Sequence, residues 1–194
     1  MVKVFAYGSN LCVERLRART PSARVVAVGT IAGHDLRWHK KSLSDGSGKC
    51  DAYATGREED LVWGVVYELT LDEKLVLDGF EGLGVDYFEK VVRVQPREDA
   101  AAEPVEAIAY VANMEHSDPG VRPWTWYRGF VVTGARQHRF PPEYLARLEA
   151  CPAMDDPDPA RHAVEYPDSS GLGMKAIKIP VRSRLNAPIN RDRA

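Results

Sequence analysis

The spacing of hydrophobic and polar positions changes period several times along this chain. Residues 2–7 are rich in strand formers and stop at the turn cluster Gly8-Ser9-Asn10. Residues 11–19 read as a short helix, with Ser9 or Asn10 as its N-cap and Pro21 just beyond its end. Residues 24–31 are β-branched and small, and residues 34–39 alternate apolar with polar, which predicts two further strands. The run Leu61-Val62-Trp63-Gly64-Val65-Val66-Tyr67-Glu68-Leu69 is almost continuously apolar, so it predicts a strand buried on both faces. Residues 50–55 look like its neighbour in a strand pair joined through 56–60, and residues 42–49 have the composition of a flexible loop.

Thr70 and Asp72 open a second helix, with Leu71, Leu75, Val76 and Leu77 available for its inner face. It ends near Phe80-Glu81-Gly82, where Gly82 or Gly84 can take the left-handed conformation past the last turn. Strands are expected at 87–95 and 104–112, across an acidic, alanine-rich turn at 97–103. Helices follow at 125–137 and 141–149, the latter with proline in its first turn. The order β-α-β-β-β-β-α-β-β-α-α lacks regular βαβ alternation and therefore predicts an α+β domain over residues 1–151. Residues 152–194 form a C-terminal extension. They begin with a proline- and aspartate-rich run at 152–159, with a late strand expected at 174–181 and a frayed end.

With 194 residues, 44% hydrophobic and 28% charged, the chain is long enough to bury a core without staples. A formal charge of −2 gives no global attraction to nucleic acid or to an anionic membrane, and neither is expected as a partner. Cys12, Cys50 and Cys151 are odd in number and contain no CxxC, against both a disulfide framework and a structural zinc site. The first apolar run is too short for a signal peptide, and no stretch nears the roughly 20 residues of a membrane helix. A reduced, cytoplasmic protein is the resulting expectation.

His34 and His39 with Cys50 do not suggest a metal site, because a spacing of five places strand residues on opposite faces. Cys12 lies at a helix N-terminus, where thiol pKa values fall, but no histidine is placed by sequence as its base. The aspartates at 155–158 lack the ligand spacing of a calcium loop and read as a solvated turn. Arg182, Arg184, Arg191 and Arg193 read as a solvated terminus.

Two segments carry candidate chemistry. A strand that ends in Tyr7-Gly8-Ser9-Asn10 and feeds a helix can gather backbone N–H groups into a concavity that holds a carboxylate or an oxyanion. The same residues also suit a plain capped turn. Glu81 sits at a helix end beside glycine and Phe80, a setting that suits a general base in a partly apolar pocket. It equally suits a solvated glutamate, and Asp78 and Asp86 compete for the role. Tyr87, Tyr110 and Tyr127, with Trp124 and Trp126, could line a small polar pocket or pack in the core.

Taken together these segments resemble the γ-glutamylcyclotransferase family. The similarity runs through Tyr7-Gly8-Ser9-Asn10-Leu11, Glu14-Arg15, Pro21-Ser22-Ala23, Val62-Trp63-Gly64-Val65-Val66-Tyr67, Leu77-Asp78-Gly79-Phe80-Glu81-Gly82, Tyr87, Tyr110, Tyr127, Gly134-Ala135 and Glu143-Tyr144, collinear over about residues 2–150. The resemblance implies an α+β fold on a mixed-strand barrel and release of 5-oxoproline from a small-molecule γ-glutamyl substrate. Glu81 would be the catalytic acid/base. Val4, Phe5, Ala6, Tyr7, Gly8, Ser9 and Asn10 would bind substrate, with Tyr87, Tyr110 and Tyr127. No metal or organic cofactor is implied. A homodimer is compatible with the family, although no feature of the sequence marks an interface. The spacer from Glu81 to Tyr87 is shorter than in the animal enzymes, and the family offers no counterpart for residues 152–194. A non-catalytic binder of γ-glutamyl compounds with the same fold is the alternative.

Overall fold

The computed structural model describes residues 1–99 and 101–161. The strand expected at 174–181 and the arginines of the terminus lie outside the described residues. Five strands close into a barrel in the order β1-β5-β2-β6-β7: β1 (Val2–Ala6), β2 (Arg24–Ala32), β5 (Leu61–Leu69), β6 (Tyr87–Pro96) and β7 (Val105–Ala112). The other two strands among the described residues, β3 (His34–Lys41) and β4 (Gly48–Ala54), form a separate antiparallel hairpin. Among the described residues, four helices, α1 (Val13–Arg19), α2 (Leu71–Glu81), α3 (Thr125–Gln137) and α4 (Pro142–Glu149), complete an α+β, mixed-strand barrel domain. None of the described helices is long and apolar enough to cross a membrane.

The barrel is mixed because β1 runs parallel to β7, with Val4 opposite Ile108 and Phe5 opposite Ala109, while its other neighbour, β5, is antiparallel. The apolar strand β5 lies between β1 and β2, and Val62, Val65, Val66, Tyr67 and Leu69 are all buried, as the unbroken hydrophobic run requires. Its expected pairing with residues 50–55 is not formed. Residues 50–54 belong to β4, which pairs with β3 instead. The segment 42–49 is not a loose loop either. Ser42 N–H donates to Ser47 O at 2.8 Å, Asp45 accepts from Ser47 N and Lys49 Nζ at 2.9 Å each, and Gly48 already begins β4.

The hairpin is tied to the barrel by Asp51, whose side chain is buried. One carboxylate oxygen accepts the Ala112 N–H at 2.8 Å and the other lies 2.9 Å from His39 Nε2. His39 Nδ1 meets Ser117 Oγ at 3.1 Å, and His34 Nε2 lies 3.0 Å from Lys90 Nζ. The two histidines thus serve different contacts at the two ends of β3.

Helix α2 has the predicted ends. The Thr70 side chain accepts from Glu73 N, and Gly82 sits at φ 62° in the left-handed region just past the last turn. Its inner face differs from the expectation. Leu71, Leu75 and Val76 are 62%, 64% and 43% exposed, and of the four apolar candidates only Leu77 is buried. The stripe facing the barrel is Lys74, Leu77, Asp78 and Glu81, at helical spacing. Lys74 is buried and ion-paired to Asp78 and Glu89. The helix lies with its charged stripe over Tyr110, whose ring centre is 5.0 Å from Lys74 Nζ, so its remaining leucines face solvent.

The first described part of the extension is fastened to the domain. Met154 exchanges backbone hydrogen bonds with Pro123 and Thr125, and the Trp126 indole donates to Asp156 at 2.8 Å. Asp156 is not a solvated turn residue: its side chain is fully covered and paired to Arg161. The Arg161 guanidinium and the indole N–H hold its carboxyl far below the ordinary range.

Candidate functional site

After β1 the chain does not pass directly into α1. Ser9–Leu11 form a single 3-10 turn, with Leu11 N–H donating to Gly8 O at 3.0 Å, and α1 starts only at Val13 with Cys12 at its N-cap. Neither Ser9 nor Asn10 caps the helix. The Asn10 amide is engaged elsewhere: its Nδ2 donates to Glu81 Oε1 at 2.7 Å, and its Oδ1 accepts from Arg19 Nη1 at 3.0 Å. The Arg19 guanidinium lies over the Phe80 ring at 4.3 Å and 3.9 Å from Glu81 Oε1. An asparagine amide can be turned either way, and an arginine on its oxygen fixes the NH₂ group toward the carboxylate.

The turn itself is fixed from behind by α3. A Cβ on Gly134 would fall 2.3 Å from Leu11 C and 2.4 Å from Cys12 N, so this helical glycine allows the helix to touch the turn's backbone. Tyr67 OH donates to Leu11 O at 3.3 Å from the β5 side. Cys12 shows the effect of that packing. Burial pushes its thiol up to about 11, opposite to the lowering expected at a helix N-terminus. The short length of α1 and the enclosure of the turn outweigh the helix dipole here.

In front of the turn lies a cavity of about 40 Å³. Phe5, Ala6, Tyr7, Gly8, Ser9 and Asn10 form one wall, and Cys50, Glu81, Tyr87, Tyr110 and Tyr127 the others. All of the expected site residues except Val4 therefore meet around one space. Val4 is a strand residue of the barrel wall, paired with Tyr67 and Ile108 and buried there.

The four tyrosines hold one another's surroundings in register. Tyr7 OH donates to Tyr110 O, Tyr110 OH to Asp78 at 2.6 Å, and Tyr87 OH to Cys50 O at 3.0 Å, while Tyr127 OH accepts the Cys50 N–H at 3.1 Å. Burial raises the pKa of each, so all four remain neutral hydroxyls. Burial also raises the Cys50 thiol, which leaves it protonated and a poor nucleophile. Of the three carboxylates that compete by sequence, Asp78 is paired to Lys74 and Asp86 to the buried Lys40. Glu81 is the one that lines the inner cavity. The arrangement offers one proton-transfer group, a polar backbone loop opposite it, and neutral hydroxyls between them.

Sequence reasoning did not find Arg19 or Cys50. Arg19 could have been noticed as one of two arginines at i and i+4 on α1, with Arg15; for Cys50 the sequence carries no signal.

Comparisons with known proteins bear on the family and the fold. Residues 61–148 match the AIG2-like family. The chain is 28% identical over 158 residues to a gamma-glutamylcyclotransferase of Mus musculus, covering 75% of this chain and 76% of that one. It is 28% identical over 155 residues to the Homo sapiens gamma-glutamylcyclotransferase, covering 78% and 79%. A solved structure of a gamma-glutamyl cyclotransferase superposes with a TM-score of 0.70 at 25% identity, covering 81% of this chain and 91% of that one. The chain thus carries the γ-glutamylcyclotransferase-like fold, and its resemblance to the γ-glutamylcyclotransferase family holds in sequence as well as in architecture.

Proposed function

We propose that the chain is a γ-glutamylcyclotransferase whose acid/base is Glu81. The observation that carries this reading is that Glu81 lines the inner cavity opposite the Tyr7–Asn10 loop and is oriented by Asn10. In the reaction, Glu81 takes a proton from the substrate's α-ammonium, and the freed amine attacks the γ-carbonyl. A C–N bond forms, and charge gathers on the carbonyl oxygen, where the peptide N–H groups of the loop stabilise it. Glu81 returns that proton to the γ-amide nitrogen as the original C–N bond breaks, and the second proton lost by the attacking nitrogen passes by the same carboxylate to the released amine, which leaves as an ammonium. The products are 5-oxoproline and a free amine or amino acid.

Because the nucleophile and the electrophile belong to one molecule, folding the glutamyl chain in a small cavity removes most of the entropic barrier. One carboxylate suffices because the two protons that the attacking nitrogen loses are the two that the departing nitrogen gains. The neutral tyrosines orient the substrate by hydrogen bonds without adding charge to the cavity. The test is incubation with γ-glutamyl-L-alanine and several γ-glutamyl amines, followed by measurement of 5-oxoproline. Formation from at least one substrate is expected. No 5-oxoproline, with measurable binding of the same compounds, would replace the enzyme by a binding protein.

A further inference from the structure

The first turn of α3 delivers two residues to the site, and the sequence of α3 does little to hold that turn. Trp126 lines a wider cleft of about 220 Å³ outside the inner cavity, and Tyr127 lines both spaces. The Tyr127 hydroxyl meets the loop after β1 as well as the hairpin. A Cβ on Gly8 would fall 3.2 Å from it, and it accepts the Cys50 N–H at 3.1 Å. Yet the N-cap residue of α3 is Trp124, which makes no side-chain capping bond, and the first turn carries no acidic residue to meet the helix dipole.

Residues 151–161, beyond the end of the AIG2-like match at 148, supply what α3 lacks. Met154 O accepts the Thr125 N–H at 2.8 Å, Met154 N–H donates to Pro123 O at 3.0 Å, and the Asp155 carboxylate accepts the Thr125 hydroxyl at 3.2 Å. Arg128 donates to Cys151 O at 2.7 Å. The firmest tie is Asp156. Its Oδ2 accepts the Trp126 indole N–H at 2.8 Å and Arg161 Nε at 2.7 Å, while its Oδ1 accepts Arg161 Nη2 at 2.6 Å and the Asp158 N–H at 2.9 Å. These donors fill the acceptor directions of a carboxylate, so Asp156 has one orientation and the indole N–H one target. The Trp126 ring in turn stands edge-on to Tyr127 with centroids 6.0 Å apart, and Lys49 Nζ lies 4.8 Å and 4.7 Å from the two rings.

We propose that residues 151–161 are a strap that completes the active site, in which Asp156 is a positioning residue: it fixes the Trp126 indole and, through that ring, the Tyr127 hydroxyl against Gly8 of the loop. This rests on the cyclotransferase reading. Asp156 lines neither of the two spaces, so it acts on substrate placement through Trp126 and leaves the proton transfer at Glu81 untouched.

The experiment is a double-mutant cycle read in steady-state kinetics with γ-glutamyl-L-alanine, or with the γ-glutamyl amine that wild type uses best. Asp156→Ala removes the anchor, and Trp126→Phe keeps an aromatic ring but removes the indole N–H. Each should raise KM by about tenfold with kcat within about threefold of wild type, because substrate is placed less well while the proton-transfer group is unchanged. In the double variant KM should lie within about twofold of the larger single effect, since both changes break the same contact. Arg161→Gln leaves Asp156 and the indole in place and loosens only the clamp. It should raise KM by about threefold, and with Trp126→Phe it carries the test if Asp156→Ala does not fold. A strap that served stability alone would lower the unfolding midpoint and leave KM unchanged in every folded variant. That result, a loss confined to kcat, or KM effects that multiply in the double variant would overturn the proposal while leaving the cyclotransferase reading intact. Absence of 5-oxoproline from wild type with all of these substrates would overturn the two together.

Discussion

The loop after β1 and the end of α2 face each other across the inner cavity and are built by opposite means. The loop is positioned through its backbone. Leu11 is buried, Gly134 of α3 touches the turn's main chain, and Tyr67 reaches Leu11 O from β5. The end of α2 is positioned through side chains. Two of its three leucines, Leu71 and Leu75, face solvent, and Glu81 is located by a two-step chain, Arg19 to Asn10 to carboxylate. A group that only has to present N–H donors can be locked by core packing. The carboxylate proposed to move a proton sits instead on a partly buried helix end, where the Asn10 amide and the nearby Arg19 guanidinium orient it.

The largest effect should come from the proton-transfer side. Glu81→Gln keeps the shape and the Asn10 contact but cannot accept a proton. Its 5-oxoproline turnover should fall by about 10²–10⁴-fold with the circular dichroism spectrum unchanged. Near-wild-type turnover would refute the assignment of Glu81. Arg19→Gln should lower kcat by roughly tenfold to a hundredfold with a smaller change in KM, since it misorients the base rather than the substrate. A change confined to KM would instead make Arg19 a substrate contact.

On the backbone side the expected loss is stability. Gly134→Ala places a Cβ where Leu11 and Cys12 already lie, so α3 or the turn must shift. The cost should be about 1–3 kcal/mol in denaturant unfolding, and KM should rise with it as the loop moves. If stability falls and KM does not, the turn is not held where substrate binds. Smallest of all, Leu75→Gln on the outward face of α2 should change stability by no more than about 0.5 kcal/mol. A loss of several times that would mean this face is covered in solution.

The sequence was most legible where one local signal sufficed. Thr70 and Gly82 mark the ends of α2, and the apolar run of β5 announces a doubly buried strand. It was least legible where long-range partners decide. Residues 50–54 have the composition of any strand, and nothing local says that β3 rather than β5 receives them. The four apolar residues of α2 suggested an inner face, but only Leu77 of them is buried, beside Lys74, which is ion-paired to Asp78 and Glu89. Asp156 read as solvent-facing because its partners, Trp126 and Arg161, are respectively distant in sequence and in a segment without periodicity. The candidate site was legible as a set, through the resemblance, but its linkage was not: Ser9 or Asn10 suits a helix cap by sequence, whereas neither caps α1 and Asn10 hydrogen-bonds Glu81.

The most direct test of the central claim is the identity of the product in labelled water. Turnover of γ-glutamyl-L-alanine in H₂¹⁸O should give 5-oxoproline and alanine in equal amounts, with no ¹⁸O in the 5-oxoproline, because the attacking atom is the substrate's own nitrogen. Release of ¹⁸O-labelled glutamate in its place would show that water is the nucleophile and would contradict the cyclisation assigned to this site.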